Sequence, residues 1–169
     1  MGIRYRLNTT SDMDNLRRDA RQAILMGKPL VLEVVTDSKT DRQRAYQFGW
    51  FYDRAVIALE EAGIEIPLKD GGSYPYDVQI LHEVLKKHCL RPLYLKWGKR
   101  ESITAENGSK LELPVSTEKD NDGKRITTKE FSEYIKKCRE FLWVWKQISV
   151  PEPEDGYYAS IAKELGIAV

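Results

Sequence analysis

One segment, from about Thr40 to Ala62, limits the possible folds most because it is apolar on two sides. Written as a helix, it forms one stripe from Phe48, Phe51, Tyr52, Ala55 and Leu59. A second stripe, on roughly the opposite side, is formed by Tyr46, Trp50 and Ile57. A helix with two apolar faces needs cover on both. Either the helix is buried within its own fold, or its second stripe packs against a second subunit as a dimer interface.

The remaining patterns predict an α+β fold. Alternation in residues 3–7 and an apolar run in residues 30–35 indicate strands, and helical spacing in residues 13–26 indicates a helix between them. Residues 78–88 have a helical apolar stripe that we expect to end at Arg91-Pro92. Residues 93–113 look extended, with Asn107-Gly108 as a hairpin turn. We predict a small mixed sheet accompanied by several helices.

The C-terminal third of the sequence has clear helix signals. Residues 116–125 are polar and are expected to form a mobile loop. Thr127-Thr128-Lys129-Glu130 is a capping box that starts a helix with one apolar stripe. Trp143 points away from that stripe, so it is either exposed or in an interface. We predict one domain over residues 1–150, then an acidic proline-containing linker and a short helix over residues 151–169.

Composition excludes several classes of protein. The chain has 169 residues, which suits one domain, and its 27 basic and 26 acidic side chains give a net charge of only +1. An anion site must therefore be a local patch. No apolar run approaches the roughly 20 residues that span a bilayer, and the start of the chain lacks a secretory signal pattern. Two cysteines without a CxxC motif favour a reducing environment. We predict a cytoplasmic protein without membrane contact.

A search for catalytic groups finds none. The Gly71-Gly72 pair lacks the GK[ST] pattern of a phosphate-binding loop. His82 and His88 do not share a helix face, and the cysteines do not have the spacing of a zinc site. We therefore predict no catalytic residue, no metal ligand and no cofactor.

Two basic segments are candidates for binding phosphate. The first is Lys96-Trp97-Gly98-Lys99-Arg100, called here the tryptophan motif. Its cations, Lys96, Lys99 and Arg100, could neutralise phosphates, and Trp97 could stack on an unpaired base. The alternative is a solvated basic loop beside a packed tryptophan.

The second segment is Lys39-Thr40-Asp41-Arg42-Gln43-Arg44, called here the glutamine motif. It opens the two-faced helix, and free N–H groups at a helix start attract anions. Lys39, Arg42 and Arg44 could contact phosphate, with Gln43 ordering the motif. Alternatively, Thr40-x-x-Gln43 is a capping box that serves only the helix start.

The order of these features resembles the NinB family, which includes the Orf recombination protein of lambdoid phages. The matching parts over residues 3–44 are a short strand, a helix, an apolar strand and a basic-hydroxyl-x-x-Gln motif. Further along are Phe48-Gly49-Trp50, Thr127-Thr128-Lys129-Glu130-Phe131 and the tail Pro151-Glu152-Pro153-Glu154. The resemblance covers about residues 3–155. Lys39-Thr40 stands where the family usually has Arg-Ser, and Arg44 where it has Asn.

This resemblance implies a homodimer that binds DNA, preferably single-stranded, and is not an enzyme. The implied role is that of a recombination mediator that helps load a recombinase or annealase onto DNA coated by the host single-strand DNA-binding protein. Tyr46, Trp50, Ile57 and Trp143 would then form the dimer interface.

Two other functions stay open at this stage. A metal-dependent phage nuclease would need carboxylates from distant positions, for example Asp37, Asp41, Asp53 and Glu130. A protein-interaction module would use Trp143 and the two-faced helix, and it would not bind DNA.

Overall fold

The computed structural model describes residues 10–27 and 39–167. The chain divides into two compact units, residues 1–36 and residues 37–169. The first unit contains helix α1, Thr10–Leu25, so the first predicted helix is confirmed. The strands predicted over residues 3–7 and 30–35 lie outside the described residues.

The second unit combines helices with short strand pairs, which confirms the α+β prediction. Its helices are α2 Lys39–Tyr46, α3 Tyr52–Glu61, α4 Val78–Leu85, α5 Arg91–Lys96, α6 Thr128–Lys146 and α7 Gly156–Glu164. Its strands are β1 Glu65–Pro67, β2 Ser73–Pro75, β3 Ser102–Thr104 and β4 Lys110–Glu112. In this unit the strands form two separate antiparallel pairs, β1–β2 and β3–β4, rather than a mixed sheet. Within residues 10–27 and 39–167, no helix is long and apolar enough to cross a bilayer.

Helices α2 and α3 form one continuous helix, joined by a π-helical turn over Gln47–Phe51. Tyr52 N–H donates to the carbonyl of Gln47, five residues back, so this turn holds one residue more than an α-helical turn. The extra residue rotates Tyr46 toward the side occupied by Phe51, and both side chains are fully buried. The first half of the second apolar stripe therefore joins the chain's own core.

A second π-helical turn, Lys86–Leu90, joins α4 to α5. Arg91 N–H donates to the carbonyl of Lys86, and Pro92 follows at the start of α5. The predicted helix end at Arg91-Pro92 is wrong. Proline is tolerated because it stands where the hydrogen-bonding pattern changes, so its missing N–H breaks no established α-helical turn.

The β3–β4 pair is the predicted hairpin. Ile103 lies opposite Leu111, and Gly108 takes the left-handed φ of +81° that favours glycine in the turn. The prediction for residues 93–113 is thus correct for the hairpin and wrong for its first residues, which belong to α5.

Helix α6 begins with the predicted capping box. Glu130 N–H donates to Thr127 Oγ1 (3.2 Å), and Thr127 N–H donates to Glu130 Oε2 (2.8 Å). Its buried face includes Phe131, Tyr134, Ile135, Cys138 and Leu142. Trp143 is 54% exposed, which agrees with its predicted direction away from the stripe.

A chain of buried polar groups connects α3, α4 and α6. The hydroxyl of Tyr52 lies 2.7 Å from that of Tyr134, and it accepts a hydrogen bond from Gln47 Nε2 (2.6 Å). His82 Nδ1 lies 3.0 Å from the same hydroxyl, and Thr117 donates to Gln47 Oε1 (2.9 Å). Burial raises the pKa of both tyrosines, which keeps them neutral. Because each of these polar groups has a hydrogen-bond partner, the network determines how α3, α4 and α6 pack against one another.

The acidic tail packs into the second unit. Tyr158 contacts the π-helical turn so closely that a Cβ atom on Gly49 would collide with its hydroxyl. Its ring also packs against Trp50, with the centroids 5.7 Å apart. The core includes the tail residues Ile161, Ala162, Leu165 and Ile167. The prediction set residues 151–169 apart from a domain over 1–150, whereas this tail shares one core with residues from 46 onward.

Candidate nucleic-acid interface

The tryptophan motif starts at the end of α5 and continues into the turn after it. Gly98 has a φ of +68°, which lets the chain reverse there. Lys96 forms an ion pair with Glu133 of α6, and Trp97 Nε1 donates to the same carboxylate (2.8 Å). The hydrogen bond from Lys96, which has the larger effect, and the one from Trp97 both lower the pKa of Glu133. The half-buried indole is therefore held against α6 and does not project as a stacking platform.

Lys99 lies at the centre of a largely buried ion triad. Its Nζ is 3.0 Å from Asp120 Oδ2 and 3.3 Å from Glu130 Oε1, and its side chain is only 12% exposed. Burial acts to lower the pKa of Lys99, but hydrogen bonds to the two carboxylates raise it overall. Burial likewise acts to raise the pKa of Asp120, and the hydrogen bond from Lys99 helps lower it overall. The triad gives Lys99 a structural role and leaves it little access to a ligand.

Arg100 is tied to the same region from the surface. It forms an ion pair with Asp122 (2.9 Å) and donates to the carbonyl of Asn121 (3.1 Å). Asn121 Nδ2 donates in return to the carbonyl of Arg100 (2.8 Å). Because the Arg100 and Asp122 side chains are both about half exposed, the pair is open to water and to solutes.

The cations of the glutamine motif are also paired where their side chains are described. Arg42 pairs with Glu164 of α7, and Arg44 pairs with Glu118. The hydrogen bond and the charge of Glu118 raise the pKa of Arg44. Gln43 is buried, which fits an ordering role for it. The side chains of Lys39 and Thr40 lie outside the description, so phosphate contact by Lys39 and the capping box stay predictions.

Three of these carboxylates, Glu118, Asp120 and Asp122, come from one short segment, residues 118–125. Within it, Lys119 and Arg125 are partners in an antiparallel bridge. Asp120 Oδ1 accepts the N–H groups of Asp122 (3.0 Å) and Lys124 (2.9 Å), which closes the turn. The segment is therefore a closed turn that its own backbone and the tryptophan motif hold, while its predicted mobility stays a prediction.

The cations of the segment are exposed. Lys119, Lys124 and Arg125 form no ion pair with any side chain that the structure describes, and we call these three cations the basic turn. The nearby carboxylates instead pair with Arg44, Lys99 and Arg100. These six cations outnumber the four carboxylates that pair with them, Glu118, Asp120, Asp122 and Glu130, which leaves a local excess of two positive charges. This is the kind of local patch that a chain of net charge +1 needs in order to attract an anion.

Sequence reasoning missed the basic turn because its charges alternate. Residues 118–125 contain three acidic and three basic side chains, so the segment is formally neutral. One signal was available, since Asp120 lies two and four residues before N–H groups that an aspartate side chain can accept in a turn. That pattern commits Asp120 to the backbone and leaves the neighbouring lysines pointing outward.

The predicted interface residues have different surroundings. Tyr46 is fully buried and accepts a hydrogen bond from Arg139 (2.9 Å), so it has no surface for a second subunit, and this part of the prediction is corrected. Trp50 is half-buried and donates from Nε1 to the carbonyl of Pro151 (3.2 Å). Ile57 is half-buried, and Trp143 is exposed beside Val144. The structure leaves Trp143 as the most accessible of the four.

The carboxylates considered for a nuclease site do not assemble in the part of the chain that the structure describes. Glu130 closes the α6 capping box and pairs with Lys99, while Asp53 is exposed on α3. Asp37 lies outside the described residues. Among the described residues, no group of three or more His, Cys, Asp or Glu side chains is placed to hold a metal ion.

No family model matches this chain, and no curated protein or solved structure matches it either. The resemblance to the NinB family therefore stays a prediction.

Proposed function

We propose that this chain binds single-stranded DNA through the basic turn and does not cut it. The observation that supports the proposal is the set of exposed cations Lys119, Lys124 and Arg125, whose neighbouring carboxylates are all engaged elsewhere. Phosphates supply the missing counter-charge, and contacts to phosphate do not depend on base sequence.

The bridge between Lys119 and Arg125 adds a physical reason for an anion at this place. The two residues are cross-strand partners of like charge. Like charges placed directly opposite each other are destabilising, and a phosphate bound between them would remove that cost. Phosphate contact is therefore expected to stabilise the turn as well as the complex.

The tryptophan motif supports the basic turn without being the main contact. Lys99 and Arg100 engage two of the turn's carboxylates, so they keep the local charge positive. Trp97 donates to Glu133 and is half-buried, so base stacking contributes little here. Binding is then dominated by charge and should be strongly salt-dependent.

The wider role that we propose is that of a non-enzymatic recombination accessory protein. It would act as a homodimer in the cytoplasm of a bacterial host, with the host single-strand DNA-binding protein and a recombinase or annealase as partners. This part relies on the motif order and its resemblance to the NinB family. The exposed Trp143 and Val144 offer an apolar surface for self-association.

The test is fluorescence anisotropy of a labelled single-stranded oligonucleotide across a salt series, with light scattering for mass. The variant combines Lys119→Gln, Lys124→Gln and Arg125→Gln. Each lost phosphate contact on single strands reduces the slope of log affinity against log salt by about 0.7, so a loss of roughly 2 in slope is expected. Affinity at low salt should fall at least about tenfold.

A charge-matched control replaces three exposed lysines on other elements, Lys69→Gln, Lys87→Gln and Lys163→Gln. It removes the same total charge and should keep most of the salt slope. Equal losses in both triple variants would assign binding to net charge and exclude the basic turn as a site. A folded wild-type protein that fails to bind at low salt would refute DNA binding altogether. Metal-dependent cutting of the oligonucleotide would favour the nuclease alternative.

A further inference from the structure

A column of three stacked rings lies where the second π-helical turn packs against α6. The ring centroids of His88 and Phe141 are 5.1 Å apart, and the two planes differ by only 11°. The centroids of Phe141 and Trp145 are 5.3 Å apart, with planes that differ by 24°. Edge-to-face pairs of aromatic rings are as favourable as offset stacks, so two successive near-parallel contacts make an ordered column rather than a mixed aromatic cluster.

The two ends of the column have different surroundings. At one end, Lys146 Nζ lies 4.8 Å from the centroid of the Trp145 ring, and the ring of Tyr76 meets the same ring edge to face (5.8 Å). At the other end, His88 is exposed, and Phe141 is the one ring that contacts it among the residues that the structure describes. Because Phe141 covers one face of the imidazole, the opposite face is the open end of the column.

The column lies on the side of α6 that also holds the basic turn in place. Glu130 belongs to the ion triad with Lys99 and with Asp120, which is part of the segment that carries the basic turn. Glu130 and Phe141 are about three helical turns apart, so they share one face of α6 and are separated by about 16 Å along its axis. A strand bound at the basic turn therefore has to extend by only a few nucleotides to reach His88.

We propose that the open face of His88 is a stacking site for an unpaired base of single-stranded DNA, an inference that rests on the proposed function. Every base has a π-face, so such a site accepts any sequence. The ring of Phe141 already holds the imidazole flat, so little side-chain freedom is lost when a base binds. An imidazole is too polar to favour the burial of an aliphatic side chain, whereas its flat face suits a flat base.

The stacking site and the basic turn contribute to affinity in ways that can be separated. A phosphate contact releases counterions, so it makes affinity depend on salt. Stacking on a neutral π-face releases none, so it makes affinity depend on the presence of a base and leaves the salt slope unchanged.

The test measures anisotropy with two labelled oligonucleotides of equal length, one with normal bases and one abasic throughout. The wild type should bind the first about fivefold or more tightly than the second. His88→Leu keeps a side chain of similar size without a flat ring, and it should lose this preference. It should bind the abasic strand as the wild type does, with the same salt slope. His88→Phe keeps a flat ring and should retain the preference.

Affinity for the abasic strand also shows that each variant is folded. Three results would overturn the inference: a preference for bases that survives His88→Leu, equal losses on both strands, or a wild type that binds both strands equally. The column would then be left to an aromatic side chain of a protein partner.

The triple variant of the basic turn separates this inference from the proposed function. It should lose salt slope on both strands and keep the preference for bases. If it loses slope while the wild type shows no preference for bases, the stacking site is refuted and the proposed function stands. A wild type that binds neither strand at low salt refutes both.

Discussion

The cations of the two sequence motifs and those of the basic turn have the same chemistry but opposite surroundings. Arg44, Lys99 and Arg100 each contact a carboxylate from residues 118–125. The basic turn contributes Lys119, Lys124 and Arg125, which are exposed and make no ion pair with described residues. The first group balances charge within the fold, while the second group leaves charge for a ligand.

This difference shows that a cluster of basic residues in sequence does not identify an anion site. A carboxylate can pair with only a few cations. In this structure the carboxylates of residues 118–125 pair with cations that are distant in sequence and not with the basic residues beside them in the segment. Exposed ion pairs contribute little to stability, whereas a buried group left without its partner is costly. Mutation of Lys99, the buried member of the first group, should therefore act mainly on stability, whereas mutation of the basic turn should act mainly on binding.

The largest effect is expected for Lys99→Met. It removes the cation of the buried triad and leaves Asp120 and Glu130 without their shared partner. Removing one partner of a buried pair is strongly destabilising, so the free energy of unfolding should fall by about 3 kcal/mol. Urea denaturation followed by tryptophan fluorescence measures this change.

The matched control is Lys119→Met in the basic turn. Its side chain is exposed, and it faces the like charge of Arg125 across the bridge. The free energy of unfolding should change by less than about 0.5 kcal/mol, with a slight gain favoured. If the two variants were equally destabilised, the division into structural and ligand-contacting cations would be wrong.

The next effect concerns DNA affinity and compares two double variants of equal charge. Lys119→Gln with Arg125→Gln should weaken single-strand binding about tenfold and reduce the salt slope by roughly 1.4, for two phosphate contacts. Lys96→Gln with Arg100→Gln removes one lysine and one arginine from the tryptophan motif. It should weaken binding by only about twofold to threefold, through the loss of local charge.

The slope of log affinity against log salt distinguishes the loss of a phosphate contact from a general weakening of the positive electrostatic field. A field effect lowers affinity with little change in slope, whereas a lost phosphate contact lowers both. A larger slope change in the Lys96 and Arg100 variant would return the binding site to the tryptophan motif.

Lowering the pH should destabilise the buried triad around Lys99, whereas the exposed cations of the basic turn should not contribute to this loss of stability. The pKa of Asp120 lies below its ordinary value near 3.8, because the hydrogen bonds from Lys99 and the backbone outweigh burial. A lowered pKa in the folded state gives stability that is present above the unfolded value and is lost as pH falls through the folded value. The urea midpoint should therefore drop below about pH 4.

Lys99→Met provides the control for this pH dependence. Without its cation, Asp120 titrates closer to its ordinary pKa, so part of the drop should disappear or move to higher pH. Lys119→Met should keep the wild-type profile. Identical profiles in all three proteins would show that the triad does not govern acid stability.

The sequence patterns predicted most helices, the capping box and the hairpin, because each depends on residues close together in the chain. They failed at the two π-helical turns. A period of 3.6 residues places Tyr46 on the opposite face from Phe51, but one inserted residue brings both into the core. Local patterns assume a constant period, so they do not detect where it changes.

The candidate site was harder to predict because it depends on pairing between distant segments. The cations Arg44, Lys99 and Arg100 are visible in sequence, but their carboxylates lie 74, 21 and 22 positions away. A segment such as residues 118–125 appears neutral until those contacts are known. Which charges remain exposed is therefore a property of the tertiary fold.

The smallest effect, and the sharpest test of the comparison, comes from removing one exposed pair without changing net charge. Arg100→Gln with Asp122→Asn deletes the ion pair and keeps the local excess of two positive charges. Both side chains are about half exposed, so the free energy of unfolding should change by less than about 0.5 kcal/mol. Single-strand affinity should stay within about twofold of the wild type, because the basic turn is intact.

The single variant Arg100→Gln is the comparison that shows whether Arg100 itself contacts DNA. Alone, it leaves Asp122 as an unpaired negative charge in the same short segment as the basic turn, so binding should weaken slightly through repulsion of phosphate. Adding Asp122→Asn removes that charge and should restore binding. If the double variant binds as weakly as the single one, the guanidinium of Arg100 itself contacts DNA. Arg100 would then leave Asp122 and pair with a phosphate when DNA binds. The separation between motif cations and turn cations would no longer hold at this position.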